Sequence, residues 1–158
     1  MFKEVYGNVW DILDEDSTLY ILTNDTIAVT YNAETLEEKM FNPMGGGIAL
    51  EAANRNRNLP AAMVECIRNN SYYLGKDSLS GAELMRFPTI HNIGGCADLL
   101  LVKSNLYRVK EYCLSNPERK VYLPRPGCGI GGLDWDDEVK PLCEEIFKDI
   151  DNIYIVSK

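Results

Sequence analysis

The second half of the chain alternates helix and strand signatures, and that alternation leaves few folds open. After Asp98, a residue suited to cap a helix, Leu99, Val102, Leu106, Val109 and Cys113 recur at spacings of three and four, which is one face of an amphipathic helix. Residues 120–123 read as a short buried strand. Val139, Leu142, Cys143, Ile146 and Phe147 form a second helical stripe, and Pro141 belongs in its first turn, so that helix starts near Asp136 or Asp137. Residues 153–156 read as a closing strand. Strands joined through helices run parallel and are covered by those helices, which makes this an α/β chain.

The first half is less regular. Residues 2–10 are β-rich with a bend at Gly7-Asn8, 11–17 form an acidic turn, and 19–23 and 27–31 are short apolar strands. Residues 32–42 are polar and read as a loop or one helical turn. Gly45-Gly46-Gly47 opens a helix rich in strong helix formers, and Pro60 fits the first turn of a second helix running to about Asn69. Residues 71–82 read as a loop and Glu83–Ile90 as a strand with Pro88 near its end. Adjacent strands here and parallel strands later predict a mixed sheet. Without repeat or linker, the 158 residues suit one domain, 1–158.

Sixteen Lys plus Arg face twenty-four Asp plus Glu, a net charge of −8. That balance argues against general nucleic-acid binding, which draws its affinity from neutralised phosphates. Any anionic ligand must be held by a local device. No apolar run reaches the ~18 residues of a membrane span, and the start carries no signal-peptide pattern, so the expected location is cytoplasmic. Five cysteines with no C-x-x-C pair read as reduced thiols. One histidine, His91, with scattered cysteines predicts no metal site and no resident cofactor. The run Asp136-Asp137-Glu138 reads as the acidic first turn of a helix.

Two glycine-rich loops are the candidate device. Met44-Gly45-Gly46-Gly47-Ile48-Ala49 leads into a helix, and 124–133 (Pro-Arg-Pro-Gly-Cys-Gly-Ile-Gly-Gly-Leu) lies between a strand and a helix. Glycine lets the backbone approach a ligand, and successive N–H groups can converge on one anion. Neither loop is a Walker A sequence. Tight turns with no ligand are the competing explanation. Cys128 sits inside the second loop, where a helix N-terminus can lower a thiol pKa.

The stretch 124–135, ending Leu133-Asp134-Trp135, resembles the second binding loop of the macrodomain family. The likeness is closest to the branch of terminal ADP-ribose glycohydrolases, DNA-ADP-ribose glycohydrolase antitoxins and related phage or bacterial proteins. Val5-Tyr6-Gly7-Asn8-Val9, Leu22-Thr23-Asn24, the first glycine loop and Phe87-Pro88-Thr89 resemble further family segments in the same order. The resemblance implies a three-layer α/β/α fold with a central mixed, mostly parallel sheet, and ADP-ribose or a derivative as ligand, free or carried by a protein or nucleic acid. It implies that Gly45, Gly46, Gly47, Ile48 and Ala49 lie near the distal ribose, with Thr23, Asn24 and Thr89 close by. Pro126, Gly127, Cys128, Gly129, Ile130, Gly131, Gly132 and Leu133 would cradle the diphosphate. Asn8 and Val9 would meet the adenine, Asn8 standing where the family has an aspartate, with Asp11 a nearby alternative.

Catalytic members of this branch write Phe-Pro-Thr-Lys, whereas this chain has Ile90 in the lysine position. Isoleucine is neither nucleophile nor base. Two functions stay open on the residues: a reader, sink or weak ADP-ribosyl hydrolase, and an active hydrolase or ADP-ribose 1''-phosphate phosphatase using His91 or bound water. A protein-interaction domain without a ligand is the third.

Overall fold

Along the strand Ser17–Asn24, Leu19 and Ile21 pack into one apolar cluster while Tyr20 and Leu22 pack into another, and this period of two divides the core. The computed structural model describes residues 1–157. Its elements are β1 (Lys3–Tyr6), β2 (Ser17–Asn24), β3 (Ala28–Asn32), β4 (Glu37–Phe41), α1 (Gly47–Arg55), α2 (Leu59–Asn69), β5 (Tyr73–Lys76), β6 (Glu83–Ile90), α3 (Leu99–Ser115), β7 (Lys120–Pro124), α4 (Lys140–Ile146) and β8 (Ile153–Ser157). Six strands form one sheet in the order β1-β8-β7-β2-β6-β5. All neighbours are parallel except β5, which runs antiparallel on the edge. The sheet is therefore mixed and mostly parallel, as expected. Helices α1 and α2 cover one face through Ala49, Ala52, Leu59 and Met63; α3 and α4 cover the other through Val102, Leu106, Val109, Cys143 and Ile146.

The helix signals hold locally. Asp98 accepts from the N–H groups of Leu100 and Leu101 and caps α3. Asp134 caps the last helical segment by accepting from the N–H of Asp137 at 2.8 Å, and Glu138 reaches back to the N–H of Asp134 at 2.9 Å. The segment begins with a wide π-type turn, Trp135–Val139, before α4. The three acidic residues 136–138 are thus its first turn, and no cluster of three metal-ligating side chains occurs among the described residues. None of the helices there is long and apolar enough to cross a membrane.

Three expectations need correction. Residues 32–42 are mostly strand: β4 pairs with β3 as an isolated hairpin, with Asn32 Oδ1 accepting from the N–H groups of Glu34 and Thr35 at the turn. Nearly every residue of this ribbon is exposed, so no buried face imposed an apolar alternation. Residues 71–82 are not all loop, because β5 pairs with β6 over Tyr73–Lys76. The β-rich stretch 2–10 ends as strand at Tyr6. Gly7 adopts a positive φ of 128° and Val9–Asp11 form a single 3-10 turn. Pro88 lies beyond the part of β6 that pairs with β5, so on that side no strand needs its missing N–H.

Candidate functional site

The carboxyl ends of the parallel strands open into a cleft of about 930 Å³. Gly7, Val9, Val156 and Ser157 line it at the β1/β8 end; Thr23, Asn24, Thr89 and Ile90 line it at the β2/β6 end. The loop after β7 lies between them, as sheet order requires. From β1 to β6 is four inter-strand steps, or about 19 Å at the usual spacing. The cleft is therefore long, with its glycine loop in the middle.

That loop presents donors. The backbone N–H groups of Cys128, Gly132 and Leu133 are used inside the loop, on Arg125, Gly129 and Gly127 carbonyls. Those of Gly129, Ile130 and Gly131 donate to no acceptor among the described residues. A run of consecutive unused N–H groups is the kind of feature that can hold an anion. The first glycine loop adds the N-terminus of α1, where Gly46 sits at the cap position and supplies no side-chain hydrogen bond. The two loops touch: a Cβ on Gly46 would stand 3.0 Å from Ile130 Cδ1. Gly127 and Gly131 are fixed by close packing, since a Cβ on either would meet Ala97 Cβ at 3.1 and 2.7 Å.

Residues lining the cleft also carry buried polar atoms. Thr23 Oγ1, Arg125 Nε and Ser157 Oγ are buried without a hydrogen-bond partner, and all three residues line it. An unmade hydrogen bond of this kind costs about 1–3 kcal/mol. Arg125 lies over the Trp135 ring at 4.9 Å and reaches Glu4 only at 3.8 Å. Ionisable side chains lining the cleft, among the described residues, are Glu51, Cys96, Arg125 and Cys128. Burial pushes the Cys128 thiol up to about 11, with Arg125 working against it, so Cys128 is a neutral thiol rather than an activated one.

Most of the anticipated site residues converge. Val9, Thr23, Asn24, Gly45, Gly46, Gly47, Ile48, Ala49, Thr89, Gly127, Cys128, Gly129, Ile130 and Gly131 line the cleft. Pro126, Gly132 and Leu133 do not; they shape the loop, Leu133 donating its N–H to Gly127. Asn8 lies outside too, its Oδ1 accepting from the N–H of Trp10 at 3.2 Å to start the 3-10 turn. Asn24 ties its amide to Pro43 O and its oxygen to Thr26 N and Asn42 Nδ2. The register of β2 and β6 shifts at Thr23/Asn24, so Asn24 pairs with Ile90 and Ile90 faces the cleft. His91 turns away: its Nε2 is 2.8 Å from Asp98 Oδ2, on an exposed ring outside the lining. That contact, with the N–H groups of Leu100 and Leu101, holds the Asp98 carboxyl below the usual carboxylate range. Asp11 is likewise absent from the lining.

Sequence reasoning missed Glu51, Arg125, Ser157 and the 93–96 loop. The loop is pinned by Ile93 N to Thr26 Oγ1 and Ala97 N to Gly131 O. No local signal marks Ser157, whose place depends on β8 pairing with both β1 and β7.

No protein-family model matches the sequence, and no curated protein matches it. The fold does match solved structures. The macrodomain of Thermus aquaticus DarG aligns over 99% of this chain and 96% of its own, with a TM-score of 0.72 at 20% identity. The Mycobacterium tuberculosis DarG macrodomain aligns over 100% of this chain and 99% of its own, at 0.71 and 20% identity. The fold is that of a macrodomain. Thermosipho africanus DarTG, solved in complex with ADP-ribose, matches 99% of this chain with 42% of its own, at 0.72 and 16% identity. On this macrodomain scaffold the cleft bears an apolar Ile90 at the end of β6 and a carboxylate, Glu51, on α1.

Proposed function

We propose that the cleft binds ADP-ribose or a close derivative, and that the protein is a reader or sink for that group, free or attached to a protein or nucleic acid. The observation that carries this reading is the row of three unused N–H groups, Gly129 to Gly131, at the middle of a long cleft in an acidic protein. A row of N–H groups holds a diphosphate without a lysine cluster. Of the lining residues with unpartnered buried atoms, Ser157 and Thr23 lie towards the two ends and Arg125 beside the central loop, where an extended ligand would supply partners. The resemblance of both glycine loops to macrodomain binding loops agrees.

Binding is favoured over hydrolysis by the β6 end. Ile90 faces the cleft where catalytic relatives place lysine, and hydrolysis through His91 would require the ring to leave Asp98.

Thermal melting tests this directly. ADP-ribose at a hundred times its Kd stabilises by about 2.7 kcal/mol, which raises Tm by roughly 5–11 °C for a chain of this size. AMP and ribose 5-phosphate, each filling one end, shift it much less at the same concentration. No shift with any of the three would contradict the assignment.

A further inference from the structure

A second cavity, of about 280 Å³, opens between β6 and α3 beside Tyr72 and shares no lining residue with the cleft. Its deep wall is polar where a core would be apolar. Tyr20, Arg86 and Asn105 line it, at 3%, 4% and 3% exposure. Arg86 donates from Nε to Ser71 O at 2.6 Å and from Nη1 to Asp25 Oδ1 at 3.0 Å. Asn105 donates from Nδ2 to Pro88 O at 2.8 Å. Arg86 Nη2, Asn105 Oδ1 and the Tyr20 hydroxyl are left with no hydrogen-bond partner among the described residues. None of the three is among the unpartnered atoms sealed in the interior, so they reach open space, and the space their side chains line is this cavity. Burial pushes the Tyr20 hydroxyl well above its ordinary value, so it stays protonated and can donate or accept.

The mouth is cationic and aromatic. Arg86 and Arg108 each lie 4.5 Å from the centre of the Tyr72 ring, which keeps the two guanidinium groups near one another. Arg86 is paired with Asp25, whereas Arg108 has no ion pair among the described residues. Guanidinium groups with unused donors suit a planar carboxylate, which accepts a fork of N–H bonds. Glu111, exposed on the next turn of α3 at the same mouth, opposes a more highly charged anion such as a phosphate. The aromatic walls of Tyr20, Phe87 and Tyr112 suit a flat apolar body, and the volume limits that body to about one ring system. Deeper in, the Tyr20 hydroxyl and Asn105 Oδ1 can accept from a hydroxyl or N–H on the ring. We infer that this cavity is a second binding site, for a small aromatic monocarboxylate whose ring carries a hydrogen-bond donor. Arg86 and Arg108 hold the carboxylate, and Tyr20 and Asn105 hold the ring donor.

The test is an NMR titration of the isotope-labelled protein with para-hydroxybenzoate, with its uncharged carboxamide as control, on the wild type, Arg108→Gln and Tyr20→Phe. Arg108 is exposed, and phenylalanine keeps the ring that meets Phe87 edge to face at 6.3 Å, so both variants should fold, which melting curves check. The wild type should show saturable shifts of the Asn105 side-chain amide and the Arg86 and Arg108 Nε–H signals, with the Gly129, Ile130 and Gly131 amides unmoved. The carboxamide should bind at least about tenfold more weakly, R108Q should lose about tenfold in affinity for the carboxylate, and Y20F several-fold. No shift at millimolar para-hydroxybenzoate, shifts confined to the cleft, equal affinity for the carboxylate and the carboxamide, or unchanged affinity in either folded variant would overturn the site. The ADP-ribose reading of the cleft stands or falls separately, because the two share no residue.

Discussion

Gly129→Val lowers ADP-ribose affinity by at least about a hundredfold and leaves the fold intact. A Cβ on Gly129 meets no atom within 4 Å, and its φ lies outside the glycine-favouring region, so the protein accommodates a side chain there. The space it fills is the cleft, directly at the unused N–H groups. Hydrogen bonds to a charged acceptor contribute about 1.5–3 kcal/mol each, so losing two is a hundredfold or more. Gly131→Ala is the informative contrast. Its Cβ would stand 2.7 Å from Ala97 Cβ and 2.8 Å from the backbone oxygen of Gly127, so that variant loses folding stability as well. Calorimetry with melting curves separates the two. A G129V protein that still binds at wild-type affinity would place the diphosphate elsewhere.

Asp77→Ala is the largest expected loss of stability away from the cleft. The Asp77 side chain is fully buried and receives Arg55 through two bonds of 3.1 and 2.7 Å, Asn56 at 3.0 Å, and the Ser80 N–H and hydroxyl at 3.0 and 2.7 Å. It ties the end of α1 to the turn between β5 and β6. Removing it strands those donors, at a cost of about 3 kcal/mol, or roughly 6–12 °C in Tm. Burial opposes the charge on Asp77, but the hydrogen bonds from Arg55, Asn56 and Ser80 outweigh it and hold the carboxyl well below the usual range. A depressed carboxyl contributes stability above its unfolded value near ~4 and loses it as pH falls below that. The stability gap between the wild type and Asp77→Asn should therefore shrink in urea titrations taken from pH 5 towards pH 2. A gap that stays constant across that range would mean the charge on Asp77 is not what the network uses.

The parts of the fold legible in the sequence are those with one buried face. The stripe from Leu99 to Cys113 and the strand Glu83–Ile90 carry their period because α3 packs on β6. Residues 27–31 read as a strand and form β3, but its partner β4 was illegible because both faces of the hairpin are solvated, so Glu37, Glu38 and Lys39 looked like a loop. In the site, the glycines could be read because backbone approach restricts the residue type. Glu51 could not, since a glutamate on a helix ordinarily marks a solvated face. Arg125 and Ser157 meet the cleft only through non-local pairing, with Pro124 opposite Val156 in register. The residue type of Asn8 suited a base acceptor; in the structure its oxygen also serves a local cap, accepting from the Trp10 N–H.

The most direct measurement is amide NMR of the isotope-labelled protein titrated with ADP-ribose. An N–H that takes up a phosphate oxygen moves downfield. The account predicts saturable downfield shifts of the Gly129, Ile130 and Gly131 amides together, while the Cys128 and Leu133 amides, already bonded within the loop, move little. Binding at millimolar ADP-ribose that leaves those three amides unmoved, or no binding at all, would contradict it.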